Sequence, residues 1–422
     1  MFEVTEQKVR LFFGCHHEWQ FAEALGMSAR QLTYLRNTLQ QYPEELYRSS
    51  LIRKRRPGAY RKISAPRADL KEVQRRMARL LQARYRPPRN VHGFVPGRGI
   101  VTNAQPHAGK RCVLTIDLQD FFPSIGPRLV FNCLIGRPYH MSSPAALLCA
   151  QLSCYHDQLP QGAPSSPVLS NMVMSNLDQR LTRAAREFSL YYTRYADDLT
   201  FSTNHAYISR DAIARILEEI EARDATYAGA RTGERSPFCA NPAKISLRRA
   251  GARHQVTGLT VNERVNVSRT YLKNLRAALF QAEPAPESSR TDDIIRSLGA
   301  IPLQAHESSE SRLYRAAARS PQFSATIARI TEEYQTGLTV PGEVSFQHAV
   351  AQRYLQHLRG RVEFVRQVLG ENSGQYVTLK KRFDTIAEAA QAAGITAPDH
   401  EVSLHFAPPY YPAPSQSIRF SC

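Results

Sequence analysis

At 422 residues the chain is too long for one ordinary domain and fits two or three, and its 42% hydrophobic residues can bury a sizeable core, which excludes a disordered tail protein. The net charge of +18 argues for a polyanionic partner because it is clustered: between Arg48 and Arg89 there are fifteen Lys and Arg against only Asp69 and Glu72. The seven cysteines include no Cys-x-x-Cys pair, Cys15-His16-His17 has no second ligand cluster, and no window nears the roughly 20 apolar residues of a membrane span, so reduced thiols in a soluble cytoplasmic protein are expected.

In chain order, residues 1–50 read as short helices with Phe12, Phe13, Trp19, Phe21 and Leu25 on an apolar face. Arg53-Lys54-Arg55-Arg56 leads through a Pro57-Gly58 turn into a strand at Tyr60-Arg61-Lys62-Ile63. Leu70, Val73, Met77, Leu80 and Leu81 then form the stripe of an amphipathic helix, closed by Pro87-Pro88. Cys112 to Leu118 reads as a short buried strand carrying Asp117 near its end. A Gly/Pro/Ser loop, Pro160–Pro167, precedes a helix capped by Ser166 that runs towards Glu187. Tyr191 to Thr203 reads as two strands about a tight turn containing Ala196-Asp197-Asp198, followed by a helix over Ile208–Ala222 and strands near Lys244–Leu247 and His254–Val261. This alternation makes an α+β domain. Residues 281–345 are rich in Pro and Ser and read as a loop-rich insertion with one helix near Arg312–Arg319; Leu355, Leu358, Val362, Val365 and Leu369 mark a packed helix, and the tail after Asp384 ends in an extended Pro408-Pro409-Tyr410-Tyr411-Pro412.

The chemistry points to nucleotidyl transfer. That reaction uses two divalent cations about 3.5–4 Å apart, one activating the attacking hydroxyl and one steadying the triphosphate. Magnesium takes hard oxygen ligands and few from protein, so two or three carboxylates suffice. A strand-end Asp117 facing a turn with Asp197 and Asp198 supplies such a set, with Asp117 and Asp197 bridging both ions and Asp198 more peripheral. An Asp-Asp pair alone is ordinarily a solvated turn; the flanking strands make this one different.

Tyr195-Ala196-Asp197-Asp198 resembles the catalytic turn of reverse transcriptases, and other motifs of that family follow the expected order. Asp117-Leu118-Gln119-Asp120-Phe121-Phe122 is similar to the first palm motif, in which the Leu118 position joins the metal site. The aromatic five positions after the Asp, Phe122, would lie under the incoming sugar and clash with a ribose 2′-hydroxyl. Leu159-Pro160-Gln161-Gly162-Ala163-Pro164-Ser165-Ser166-Pro167 is similar to the second palm motif, which places Gln161 and Gly162 along nucleotide and template, the glycine admitting close backbone approach. Arg61-Lys62-Ile63-Ser64-Ala65-Pro66 resembles the fingers strand that grips the triphosphate, and Lys244 stands where the family has a lysine near the leaving pyrophosphate.

Asn103-Ala104-Gln105-Pro106-His107 resembles the Asn-Ala-x-x-His signature of retron reverse transcriptases. Val256-Thr257-Gly258 is similar to their Val-Thr-Gly signature, and His92-Gly93-Phe94 fits the fingers of the lineage. The resemblance covers about residues 50–275 and, loosely, a thumb to about Phe383. It implies a right-hand polymerase: N-terminal helices and basic fingers over 1–110, a palm of antiparallel sheet and helices over 111–270, a helical thumb over 271–384 and a tail over 385–422. It further implies two Mg2+ ions, dNTP substrates and a structured non-coding RNA from the same locus as template and primer. Synthesis would start at an internal 2′-hydroxyl and yield RNA-linked single-stranded DNA, used against phage with an effector protein. Asn103, His107, Val256, Thr257 and Gly258 are candidate RNA contacts, with packing the equal alternative for Asn103 and His107. Other bacterial reverse transcriptases, of group II intron or stand-alone defence type, and a decayed RNA-binding scaffold are the alternatives. A ribonucleotide polymerase is disfavoured by Phe122 and by Ala196 in place of glycine.

Overall fold

In the computed structural model, residues 2–53, 60–221, 236–283, 309–335 and 345–395 are described. The expected Pro57-Gly58 turn, most of the Pro/Ser-rich stretch and the Pro408–Pro412 tail lie outside them. The chain divides into two units: Met1–Thr257 with Val261–Arg264, and Gly258–Thr260 with Val265–Cys422.

The first unit opens with three helices, α1 (Glu6–Gly14), α2 (Glu18–Ala24) and α3 (Ala29–Gln41), whose Phe12, Phe21, Leu25 and Leu32 are fully buried. A hairpin follows, β1 (Tyr47–Arg53) against β2 (Tyr60–Pro66) in antiparallel register with Ser50 opposite Ile63. The first strand was not expected. Its Leu51 and Ile52 are 68% and 55% exposed, so it carries no alternating buried face by which a strand is recognised. Helix α4 (Ala68–Arg84) buries the predicted stripe Leu70, Val73, Met77, Leu80 and Leu81. A short helix, α5 (Ile100–Ala104), leads to β3 (Cys112–Asp117), and helices α6 (Pro127–Ile135) and α7 (Ser143–Ser153) come before the long α8 (Ser166–Glu187). Ser166 is the first helical residue rather than the cap: its hydroxyl donates to the Pro160 carbonyl at 2.9 Å.

The sheet at the centre of this unit holds β4 (Tyr191–Tyr195), β5 (Asp198–Thr203), β3 and β6 (Ser246–Arg248), in the order β4-β5-β3-β6, all antiparallel. Strand β5 is covered on both faces. Leu199 and Phe201 join the hydrophobic core, which also takes in Leu169 and Met172 of α8 and Ile216 and Ile220 of α9 (Arg210–Glu221). The Ser202 hydroxyl meets His107 instead. Among the described residues no helix is long and apolar enough to cross a membrane.

The second unit is helical: Arg269–Ala282, Ser309–Ala318, Ser324–Gln335, Phe346–Leu369 and Gly374–Ala392. Its core gathers Leu275, Leu313, Tyr354, Leu358 and Leu379, with Phe323 edge-on to Tyr354 at 5.1 Å. Two expectations are corrected here. The stretch read as loop with a single helix contains a second one, Ser324–Gln335, and residues 385–392 continue a helix instead of beginning an extended tail. The mixed sheet-and-helix first unit and the helical second unit agree with the α+β class expected.

Candidate active site

Asp117 ends β3 and is the cross-strand partner of Asp198, the first residue of β5. Between β4 and β5 the chain turns in two residues, Ala196 and Asp197, because Tyr195 already pairs with Asp198. Ala196 takes a left-handed φ of 55°, which a small side chain tolerates at modest cost. The Leu118 N–H donates to the Asp197 carbonyl at 3.0 Å and the Asn241 N–H to the Asp117 carbonyl at 2.8 Å, so the strand end and the turn are laced by backbone. The Leu118 side chain is buried, which leaves its main chain as the group a metal would meet.

Burial, then the charge on Asp117, raises the carboxyl of Asp197 above the usual carboxylate range; Lys244 and Arg61 oppose the shift. Asp198 is raised well above it by burial and by both neighbouring aspartates. Lys244 answers part of this charge, its Nζ lying 2.7 and 2.9 Å from the two oxygens of Asp117. Among the described residues no three acidic, His or Cys side chains close into a ready-made metal cage. The donor set nevertheless fits divalent magnesium: hard carboxylate oxygens, crowded by like charge, with one carboxylate already balanced by an ammonium.

Strand β2 adjoins the loop before α8. The Ser64 N–H donates to the Gln161 carbonyl at 2.8 Å. At Gly162, with φ of 119°, a Cβ would lie 3.1 Å from the Ile63 side chain and 3.2 Å from the Ser64 carbonyl. The close approach this glycine admits is thus to β2. Arg61 is exposed yet acts electrostatically on Asp197, whereas Lys62 lies 6.0 Å over the Tyr155 ring. Phe122 is half-buried between Phe121 and Phe94, at ring-centroid distances of 5.3 and 6.1 Å.

Sequence reasoning missed what holds the turn in place. Arg194, fully buried in β4, forms a two-pronged ion pair with Asp178 of α8, Nε to Oδ1 at 2.8 Å and Nη2 to Oδ2 at 2.7 Å. Its Nη1 donates to the Asn171 Oδ1 at 3.0 Å and to the Ala196 carbonyl at 3.1 Å, within the turn that carries Asp197. The Asn171 amide donates onward to the Gly93 carbonyl at 2.9 Å. A Cβ at Gly93 would stand 2.4 Å from the Ala196 nitrogen, so no other residue fits there without moving the turn. The available signal was an arginine in an otherwise buried strand and an aspartate on the buried face of a helix.

The two short signatures come together away from the carboxylates. Asn103 and His107 are fully buried, and both His107 ring nitrogens are taken, Nδ1 by the Ser202 hydroxyl and Nε2 by that of Thr193, each at 2.7 Å. Neither residue offers RNA an exposed atom in this structure. Val256 is buried, Thr257 donates to the Ile100 carbonyl at 3.4 Å, and Thr257 and Gly258 turn the chain with φ of 45° and 83°. Burial lowers His107 to about 3, so it stays neutral in the fold while the unfolded chain protonates near 6.5. A depressed folded-state pKa contributes stability that is complete above 6.5 and drains as pH falls towards 3. Urea midpoints at pH 7 and pH 4.5 should fall further for the native chain than for His107→Gln; equal falls would refute the assignment.

Residues 52–228 match the family described as reverse transcriptase (RNA-dependent DNA polymerase). Retron Mx65 reverse transcriptase of Myxococcus xanthus is 37% identical over 297 residues, 66% of this chain and 64% of that protein. Retron Mx162 reverse transcriptase of the same organism is 34% identical over 61% of this chain and 57% of its own length. Retron Ec86 reverse transcriptase of Escherichia coli is 33% identical over 55% of this chain and 69% of its own. The chain therefore spans somewhat less than two thirds of the two Myxococcus relatives. A solved telomerase from Candida albicans, in complex with a fragment of telomeric RNA, covers 82% of this chain at 10% identity and a TM-score of 0.38, too slight a likeness to carry an argument. With a third of the aligned positions identical across more than two thirds of the Escherichia coli protein, and with Asp117, Asp197 and Asp198 assembled at one strand end, the chain belongs to the retron reverse transcriptases.

Proposed function

We propose that the protein is an RNA-directed DNA polymerase that copies a structured non-coding RNA of its own locus. It starts from an internal 2′-hydroxyl, leaves single-stranded DNA joined to RNA, and acts in antiphage defence with an effector protein. The observation that carries this reading is the pairing of Asp117 with Asp198 across β3 and β5, with Asp197 in the adjoining β4–β5 turn. Two Mg2+ ions, when bound there, supply activation of the attacking hydroxyl and neutralisation of the triphosphate. Asp117 and Asp197 hold them, with Asp198 and the Leu118 carbonyl in support. Arg61 is the exposed cation of the fingers strand that reaches this charge and grips the triphosphate, with Lys62 beside it. Lys244, freed from Asp117, faces the leaving pyrophosphate. Gln161 and Gly162, pinned to the fingers strand, line the nucleotide from the template side. Phe122 lies beneath the sugar and rejects a 2′-hydroxyl. Gly258, half-buried, is the position of the Val256-Thr257-Gly258 turn offered to RNA, while the buried Val256, Thr257, Asn103 and His107 support it from within.

The test is on nucleic acid that co-purifies when the chain is expressed with its flanking locus. A discrete single-stranded DNA that survives RNase, is joined to RNA before digestion, and is missing with Asp197→Ala is the expected result. Protein that carries no such DNA but extends a generic primed RNA would keep the polymerase and remove the retron product.

A further inference from the structure

Phe94 follows directly on the residue packed against the Ala196 nitrogen. Its φ is +59°, in the left-handed region that bulky side chains rarely enter, and the residue is 39% exposed. The two residues before it are fixed against the catalytic turn. The His92 N–H donates to the Arg194 carbonyl at 2.8 Å, Asn171 holds the Gly93 carbonyl at 2.9 Å, and Gly93 abuts the Ala196 nitrogen. The backbone at Phe94 is therefore set by the same network that sets the turn carrying Asp197. Its ring stands 6.1 Å from that of Phe122, with the planes 56° apart. Phe122 also leans edge-on against Phe121, which is 3% exposed and tilted against Phe238 at 5.8 Å.

Phe122 thus meets one ring anchored in the core, Phe121, and one exposed ring, Phe94. A ring excludes a hydroxyl only while it cannot swing aside, and the core contact closes one side alone. A large ring held exposed and in left-handed backbone, where Asn or Gly would sit more comfortably, is costly unless the ring itself is used. We propose that Phe94 is a specificity-determining residue: it closes the open side of Phe122 and so sets how strongly ribonucleotides are rejected. This rests on the reading of the chain as a DNA polymerase with Phe122 under the sugar. Phe94 acts through Phe122 and is in that sense a positioning residue.

The experiment is single-nucleotide extension of a primed RNA template by the full chain, comparing kcat/KM for dCTP and CTP. Phe94→Asn keeps a residue tolerant of positive φ, so its Tm should not fall. Its dCTP-to-CTP ratio should drop roughly tenfold or more, with dCTP incorporation largely kept. Phe94→Tyr, which retains the ring, should retain the ratio. Phe122→Ala should lower the ratio further, and adding Phe94→Asn to it should change nothing more, as expected of two residues acting through one ring. An unchanged ratio in Phe94→Asn beside a lowered one in Phe122→Ala would overturn the proposal and leave Phe122 its role. Additive losses would overturn it too, by making Phe94 an independent contact. A Phe122→Ala chain that still rejects CTP would remove the underlying assignment of Phe122 and the proposal with it. A native chain that incorporates neither nucleotide would remove the polymerase reading itself.

Discussion

Asp197→Ala is expected to stop DNA synthesis while leaving RNA binding in place. Charge stabilisation at a metal-assisted centre amounts to several kcal/mol, so the loss should be roughly a thousandfold or more in kcat. The stability outcome distinguishes a site from a structural element. Burial raises both Asp197 and Asp198 above the usual carboxylate range, helped by Asp117 at the first and by Asp197 and Asp117 at the second, which means that their ionised forms work against the fold at neutral pH. Asp198→Asn removes one of three crowded charges, and its Tm should rise by a few degrees, on the order of 1 kcal/mol, as activity disappears. Magnesium should raise the Tm of the native chain and have little effect on Asp117→Asn, because a ligand that binds only the folded state stabilises in proportion to its occupancy. Loss of activity together with a sharp fall in Tm would instead make the aspartates structural.

What could be read from sequence follows how local the determinant is. Asp117, Asp197 and Asp198 were legible because a strand end and a two-residue turn are short-range features, and Lys244 was singled out by its resemblance to the family's lysine position. Helix α4 was legible because its stripe repeats over several turns. Strand β1 was not, because Leu51 and Ile52 face outward and leave no buried period. Helix Ser324–Gln335 was hidden by its Pro- and Ser-rich approach. Asn103 and His107 were noticed as a motif, but a motif has no direction. Only the fold shows that His107 faces Ser202 and Thr193. The support of the turn was the least legible part, since Asp178, Arg194, Asn171 and Gly93 lie on three separate segments and look in sequence like surface charge and loop.

That support yields the largest expected change in stability. Arg194→Met leaves Asp178 buried at 2% exposure, with the Tyr192 hydroxyl, 2.8 Å away, as its remaining donor in the network. Breaking a buried pair from one side costs about 3–5 kcal/mol, since a charge is left without its counterion. Against a total stability of roughly 5–15 kcal/mol this is a large share, equivalent to a fall of roughly 10 °C in Tm. The double variant Arg194→Met with Asp178→Asn should recover most of that loss. The substituted amide carries no charge to bury and its oxygen still accepts from Tyr192, and buried ion pairs are often replaced by neutral groups at little net cost. Polymerisation should not recover with it, because the Ala196 carbonyl and the Asn171 amide oxygen have lost the guanidinium that ties the turn to α8. A double variant that melts like the native chain yet remains slow would separate the two tasks of Arg194, filling the core and fixing the turn. Recovery of both properties would mean that the turn holds its shape through the β4–β5 ladder alone.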